Sequence, residues 1–214
     1  MMNPNIVELV KLTGCRTAVT TNGSIGSRQS WEDLAKNNVE VRFSIDGLED
    51  TNHIYRKNAK WKSIMDAVET LSKRDFKITW QFIPFKHNQH QILEANRLSK
   101  KLGFDEFKLL QSDRWLGKKE LMPDREYVSD YYQHQESVLI DPNYQAGMAP
   151  ACIKNNVLTS TLYVDAEGDF YPCCWMGTYR YKYKSVFSPK GKKFNIKDNT
   201  LNQILENKNI KDFF

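Results

Sequence analysis

The sequence predicts an α/β fold built on parallel strands, either an open sheet or part of a barrel, followed by a small module of one β-hairpin and one helix. Strand-like and helix-like stretches alternate four times between Thr17 and Leu139. The helical stretches are long enough that successive strands must be joined by crossovers, which makes them parallel neighbours. From Pro150 the pattern changes to hairpin signals and one closing helix.

The elements follow in order. Ile6, Val7, Leu9 and Val10 in "NIVELVKL" form a short amphipathic pattern, the end of a helix. "TAVTTNG" (Thr17 to Gly23) is a strand stopped by Asn-Gly, and Ser30 to Asn38 a helix with Ser30 as N-cap. In "VEVRFSIDG", Val39, Val41, Phe43 and Ile45 point to one side and Glu40, Arg42, Ser44 and Asp46 to the other. A loop to Asn58 precedes a helix in which Trp61, Ile64, Val68 and Leu71 recur at helical spacing. Phe76 to Asn88 is a strand rich in β-branched and aromatic residues, and "QHQILEANRLSKKLG" a helix stopped by Gly103. Phe104 to Ser112 is the fourth strand. A charged loop runs through Pro123 into a helix, "REYVSDYYQHQESVL". The later hairpin turns near Glu167 and Gly168, and "TLNQILEN" is the last helix. Residues 1–148 and 149–214 are the expected domains.

With 40% hydrophobic and 27% charged residues over 214 positions, the chain can bury a core and does not read as disordered. No apolar run approaches the roughly 20 residues of a membrane span, and the start lacks a signal peptide's features, so the expectation is a cytoplasmic protein without a membrane partner. Cys15, Cys152, Cys173 and Cys174 are too few and too clustered for a secreted disulfide framework; metal or redox chemistry suits them better. The formal charge of +5 selects no partner. Alternating Tyr and Lys or Arg from Tyr179 to Lys184 could stack on bases, but an exposed strand with two unlike faces explains the run better, and nothing else speaks for nucleic acid.

Parallel α/β proteins hold ligands at the C-terminal ends of their strands, here Asn22, Ser44, Asp46, His87, Asn88, Gln111 and Ser112. His87 and His90 in "HNQH" have a spacing seen in metal ligands, yet a strand-to-helix junction explains them more simply. Cys15, far from the other thiols in sequence, reads as a small buried hydrophobe.

"TTNG", then "RFSIDG", then "HIYRKNAKWKSIMDAVETL" and "WQFIPFKHNQHQILEANRLSKKLGF" resemble the later strand and helix units of a radical S-adenosylmethionine enzyme of the twitch or SPASM branch. The resemblance implies a partial (β/α) barrel holding four of that family's units. Cys152, fifteen residues, Gly168, four residues and Cys173 resemble the first half of an auxiliary iron-sulfur module, whose clusters are held by thiolates. Adjacent side chains of a regular strand point oppositely, so Cys173 and Cys174 are alternatives for one ligand position. By resemblance, Ser44 and Arg56 contact S-adenosylmethionine, and Asn22, Asp46 and Asn88 line the barrel mouth. The Cys-x3-Cys-x2-Cys motif that binds the family's first cluster does not occur.

These 214 residues therefore read as a member truncated at both ends and inactive alone, with iron-sulfur cluster and S-adenosylmethionine belonging to the intact parent and neither bound here. The strand from Thr17 to Asn22 carries no charge and no proline, so it is expected to pair two copies of the chain edge to edge. The alternatives are a stand-alone scaffold for a small molecule or protein, with structural or zinc-bound cysteines, and a basic RNA-binding module.

Overall fold

Four strands, β1 (Ala18–Thr21), β2 (Glu40–Ser44), β3 (Ile78–Phe82) and β4 (Glu106–Leu109), pair in chain order and all in parallel. The structure is a computed structural model describing residues 5–13, 16–37, 39–73, 76–112, 115, 118–128, 163–165, 168–171 and 194–208. The described residues belong to two compact units, Met1–Pro142 and Asn143–Phe214. Helices α2 (Arg28–Lys36), α4 (Trp61–Ser72) and α5 (Ile92–Lys101) are the crossovers, and α1 (Ile6–Thr13) precedes the sheet.

Side-chain alternation makes the sheet two-faced. The register sets Val41 beside Ile78, and Phe43 beside both Thr21 and Trp80. This face buries Val41, Phe43, Ile45, Ile78, Trp80 and Phe82 almost completely, together with Trp31, Leu34, Ile64, Val68 and Leu71 from α2 and α4. Phe104 joins the cluster edge-on to Phe43, with ring centroids 5.7 Å apart. Each such side chain contributes about 1.5–3 kcal/mol by leaving water. The Trp80 indole N–H donates to the Ile45 carbonyl at 2.8 Å, so this ring is buried without an unmet donor.

The expected strand and helix order holds across this unit, with four differences. The cap of α2 is Ser27, whose hydroxyl accepts from the Ser30 amide at 3.1 Å, so the helix starts before Ser30. A single helical turn, α3 (Asn52–Tyr55), stands in what reads as a loop. The strand foreseen to Asn88 ends at Phe82, because the polypeptide then turns sharply around the Asn88 side chain. Arg125–Tyr127 is a 3₁₀ turn followed by extended Val128; the rest of the helix expected there lies outside the described residues.

In the second unit β5 (Tyr163–Val164) and β6 (Phe170–Tyr171) form the antiparallel hairpin expected around Gly168, which adopts φ 90°. A bridge from Asp169 to Asn195 brings the following chain alongside. Helix α6 (Leu201–Leu205) starts at Thr200 with a reciprocal Thr200–Gln203 capping box. Its Ile204 is buried with Phe170 and Tyr171. Among the described residues no helix is long and apolar enough to cross a membrane.

Candidate functional site

The second face of the parallel sheet is polar. The register aligns Thr20, Arg42, Thr79 and Glu106 in one row, and Gln81 with Ser44 and Lys108 in the next row toward the strands' C-terminal ends. Extending β1 by one residue brings Asn22 level with Ser44. Parallel sheets ordinarily bury apolar side chains on both faces, so a face of this chemistry is built for something other than packing. Arg42 grips Glu40 through Nε at 2.9 Å and Nη2 at 3.3 Å, and this bond holds the Glu40 carboxyl below its ordinary range. Glu106 is likewise lowered, first by Lys77 and then by Lys108, at 2.9 and 3.1 Å. Thr79 lies buried between these charges, and its hydroxyl has no hydrogen-bond partner.

At the C-terminal rim the loops after β2 and β3 are fused by buried polar side chains. Asp46 accepts from the Ile83 amide through Oδ1 at 2.8 Å and from Arg56 Nε through Oδ2 at 2.6 Å. Asn52 Oδ1 accepts from the Asp46 amide at 2.8 Å. Asn88 accepts from the Phe85 amide at 2.7 Å and donates to the carbonyls of Asp46 and Ile83 at 2.9 and 3.0 Å. Gly47, at φ 135°, is required here, since a Cβ would stand 2.2 Å from Thr51 Oγ1. Thr51 and the Leu48 amide both donate to Gln91 Oε1, pinning this loop to the turn before α5.

Four of the seven strand-end residues singled out in the sequence therefore fall into two groups. Asp46 and Asn88 are 0% exposed and bind one another's loops. Asn22 is exposed, its Oδ1 accepting from the Ser24 amide at 3.1 Å, while Ser44 is half-buried on the polar face. Arg56, 18% exposed, uses Nε on Asp46 and lies 5.4 Å from the Tyr55 ring centroid. Sequence reasoning did not single out Thr79, Gln81 or Tyr55; the period-two pattern carried the first two, and nothing marked the third. Cys15, Cys152, Cys173, Cys174 and the run from Tyr179 to Lys193 lie outside the described residues. His90 is exposed, and among the described residues no group of His, Cys, Asp and Glu could hold a metal ion.

Comparison with known proteins shows what this geometry is similar to. Residues 152–214 match the SPASM family model, described as an iron-sulfur cluster-binding domain. SuiB of Streptococcus suis, bound to precursor peptide SuiA, aligns over 97% of this chain and 51% of its own with TM-score 0.62 and 16% identity. SuiB bound to S-adenosylmethionine aligns over 95% and 51%, with TM-score 0.60 and 13% identity. The chain shares its fold with about half of each of these radical S-adenosylmethionine enzymes. A histidine-tagged form of anSMEcpe with bound AdoMet aligns over 92% of this chain and 56% of its own, with TM-score 0.52 and 13% identity. The chain thus spans about half the length of the solved structures it matches. No curated protein matches it.

Proposed function

We propose that the first unit supplies the S-adenosylmethionine-facing wall of a radical S-adenosylmethionine enzyme, and that the second supplies thiolates to an auxiliary iron-sulfur cluster. The observation that carries the reading is the polar face of the parallel sheet, with Asn22, Ser44 and Gln81 level at its C-terminal end. Ser44 and Asn22 offer hydroxyl and amide groups to the cofactor's polar edges. Arg56 offers its two Nη groups to a carboxylate, the planar pairing guanidinium makes best. Asp46 and Asn88 serve the site by holding these groups in place.

Cys152 and one of Cys173 and Cys174 are the thiolates for the cluster, and thiolate is the donor such clusters take. When bound, the cluster supplies one-electron chemistry. A cytoplasmic setting, which keeps thiols reduced, suits that use. Two thiolates are two short of the four that complete such a cluster, so the isolated chain should hold iron incompletely. Lacking a Cys-x3-Cys-x2-Cys run, the 214 residues alone should not cleave S-adenosylmethionine, and should bind it no tighter than about millimolar, the strength of a few hydrogen bonds.

Iron and sulfide analysis after anaerobic reconstitution tests the cluster. Less than one cluster per chain is expected, falling further in Cys173→Ser plus Cys174→Ser; retention unaffected by that double change would overturn the assignment. Calorimetry tests the cofactor arm, and a micromolar constant would refute it. β1 pairs on one side only among the described strands. We propose that this edge joins two copies of the isolated chain, so that Val19→Lys shifts light scattering toward monomer; a wild-type chain that is monomeric at every accessible concentration would exclude this.

A further inference from the structure

One side chain on the rim is not accounted for by the reading above. His87 follows β3 in the loop that Asn88 holds, and among the described residues neither of its ring nitrogens has a hydrogen-bond partner, although both are shielded from water. Leaving a polar group unmet in this way is costly, and its polar neighbours are all engaged. Lys86 and Gln89 both donate to the Asp124 carboxylate, and Gln89 Oε1 accepts from the Asp124 amide at 2.7 Å. The Lys86 amide donates to the Leu121 carbonyl at 3.1 Å. A strap of chain, residues 118–128, is thereby tied down on either side of His87. The imidazole is oriented by stacking instead. It lies nearly parallel to buried Phe85, with 5.5 Å between centroids and 9° between planes. Phe85 rests on Tyr55 at 4.3 Å, and the Arg56 guanidinium lies by Tyr55 in turn.

We propose that His87 is a ligand-binding residue of this rim, whose unprotonated nitrogen accepts a hydrogen bond from an amide, hydroxyl or thiol group of the bound substrate once the Asp124-clasped strap lifts. The inference rests on the rim being the ligand mouth. Ring stacking fixes the plane of the imidazole without using either nitrogen, so the edge that a ligand would address is left open. Burial lowers the His87 pKa from its ordinary value, and nearby His53 and His90 lower it further, so the ring is neutral and retains an acceptor at neutral pH. The other charges near it, Arg56, Lys86 and Asp124, are paired: Arg56 with Asp46, and Lys86 with Asp124.

Diethyl pyrocarbonate, which modifies an unprotonated imidazole nitrogen that a small molecule can reach, is the probe, applied to the full chain and read by peptide mass spectrometry. Exposed His53 and His90 serve as internal standards. His87 is expected to react more slowly than either, with a pH midpoint below the ordinary imidazole value. Asp124→Ala is expected to raise the His87 rate about tenfold, the effect of losing a clasp of charge-assisted hydrogen bonds, while leaving the standards unchanged. A His87 that stays unmodified in both chains is a packing residue, and the proposal fails. A rate indifferent to Asp124→Ala also overturns it, because the strap would then not control access. His87→Phe, which keeps a ring on Phe85, should lose the modified peptide while remaining folded. The cofactor reading is tested separately, by titrating millimolar S-adenosylmethionine into the chain and its Ser44→Ala variant, so its failure is distinguishable from failure at His87.

Discussion

Replacing Asn88 with alanine removes three hydrogen bonds at once, those to the Phe85 amide, the Asp46 carbonyl and the Ile83 carbonyl. The side chain is fully buried, so water cannot take over these bonds without opening the loop. A buried amide that loses its acceptor costs about 1–3 kcal/mol. Each carbonyl, with a second lone pair to satisfy, costs nearer 1 kcal/mol. Together they amount to roughly 3–5 kcal/mol, a large part of the ~5–15 kcal/mol by which domains are stable. Urea unfolding followed by tryptophan fluorescence reads this directly, because Trp31 and Trp80 sit in the same core. Asn88→Asp would set a buried carboxylate oxygen against the carbonyls of Asp46 and Ile83, so it should lose at least as much as alanine. Glu94→Ala on the exposed side of α5 should change stability by less than about 0.5 kcal/mol. A loss below about 1 kcal/mol for Asn88→Ala, at unchanged urea slope, would refute the view that this side chain ties the rim together.

Arg56→Ala should cost about 3 kcal/mol by stranding the buried Asp46 carboxylate, and a double-mutant cycle with Asp46→Asn should recover part of that loss; additive effects would argue against coupling. Gly47→Ala should lose more than about 2 kcal/mol by the same urea measurement, since φ 135° and the Thr51 hydroxyl both oppose a Cβ. The lowered His87 pKa gives a pH dependence. Below its ordinary value near 6.5 the unfolded chain takes a proton that the folded chain resists, so stability should decline as pH falls through 6.5 toward the folded pKa. His87→Gln should flatten that decline, and an unchanged slope would count against a buried neutral ring.

How much of this could be read from the amino acids depends on the range of the interaction. The alternation in "VEVRFSIDG" told both faces of β2, and the Gly168 turn told the hairpin, because each is written in adjacent residues. The Ser27 cap was missed for Ser30 because both hydroxyls lie within one turn of the helix start and bond to each other. Strand-end position marked Asp46 and Asn88 as candidates to meet a ligand, whereas their burial comes from a bond between residues far apart in sequence. Local pattern holds no trace of such a pairing. The Arg56, Tyr55, Phe85 and His87 tier is hidden for the same reason, since two loops assemble it.

The two-faced sheet separates what can change from what cannot. On β2, substitution at Val41 or Phe43 disturbs the packed layer, while substitution at Glu40, Arg42 or Ser44 leaves that layer alone. β3 divides in the same way, with Ile78, Trp80 and Phe82 on the packed side and Thr79 and Gln81 on the other. Mutation can therefore re-letter the polar wall position by position without first solving a new packing problem. A sheet of this kind can keep its fold while sequence identity drifts to the low values seen with the solved structures it resembles, because packing is confined to alternate residues of its strands.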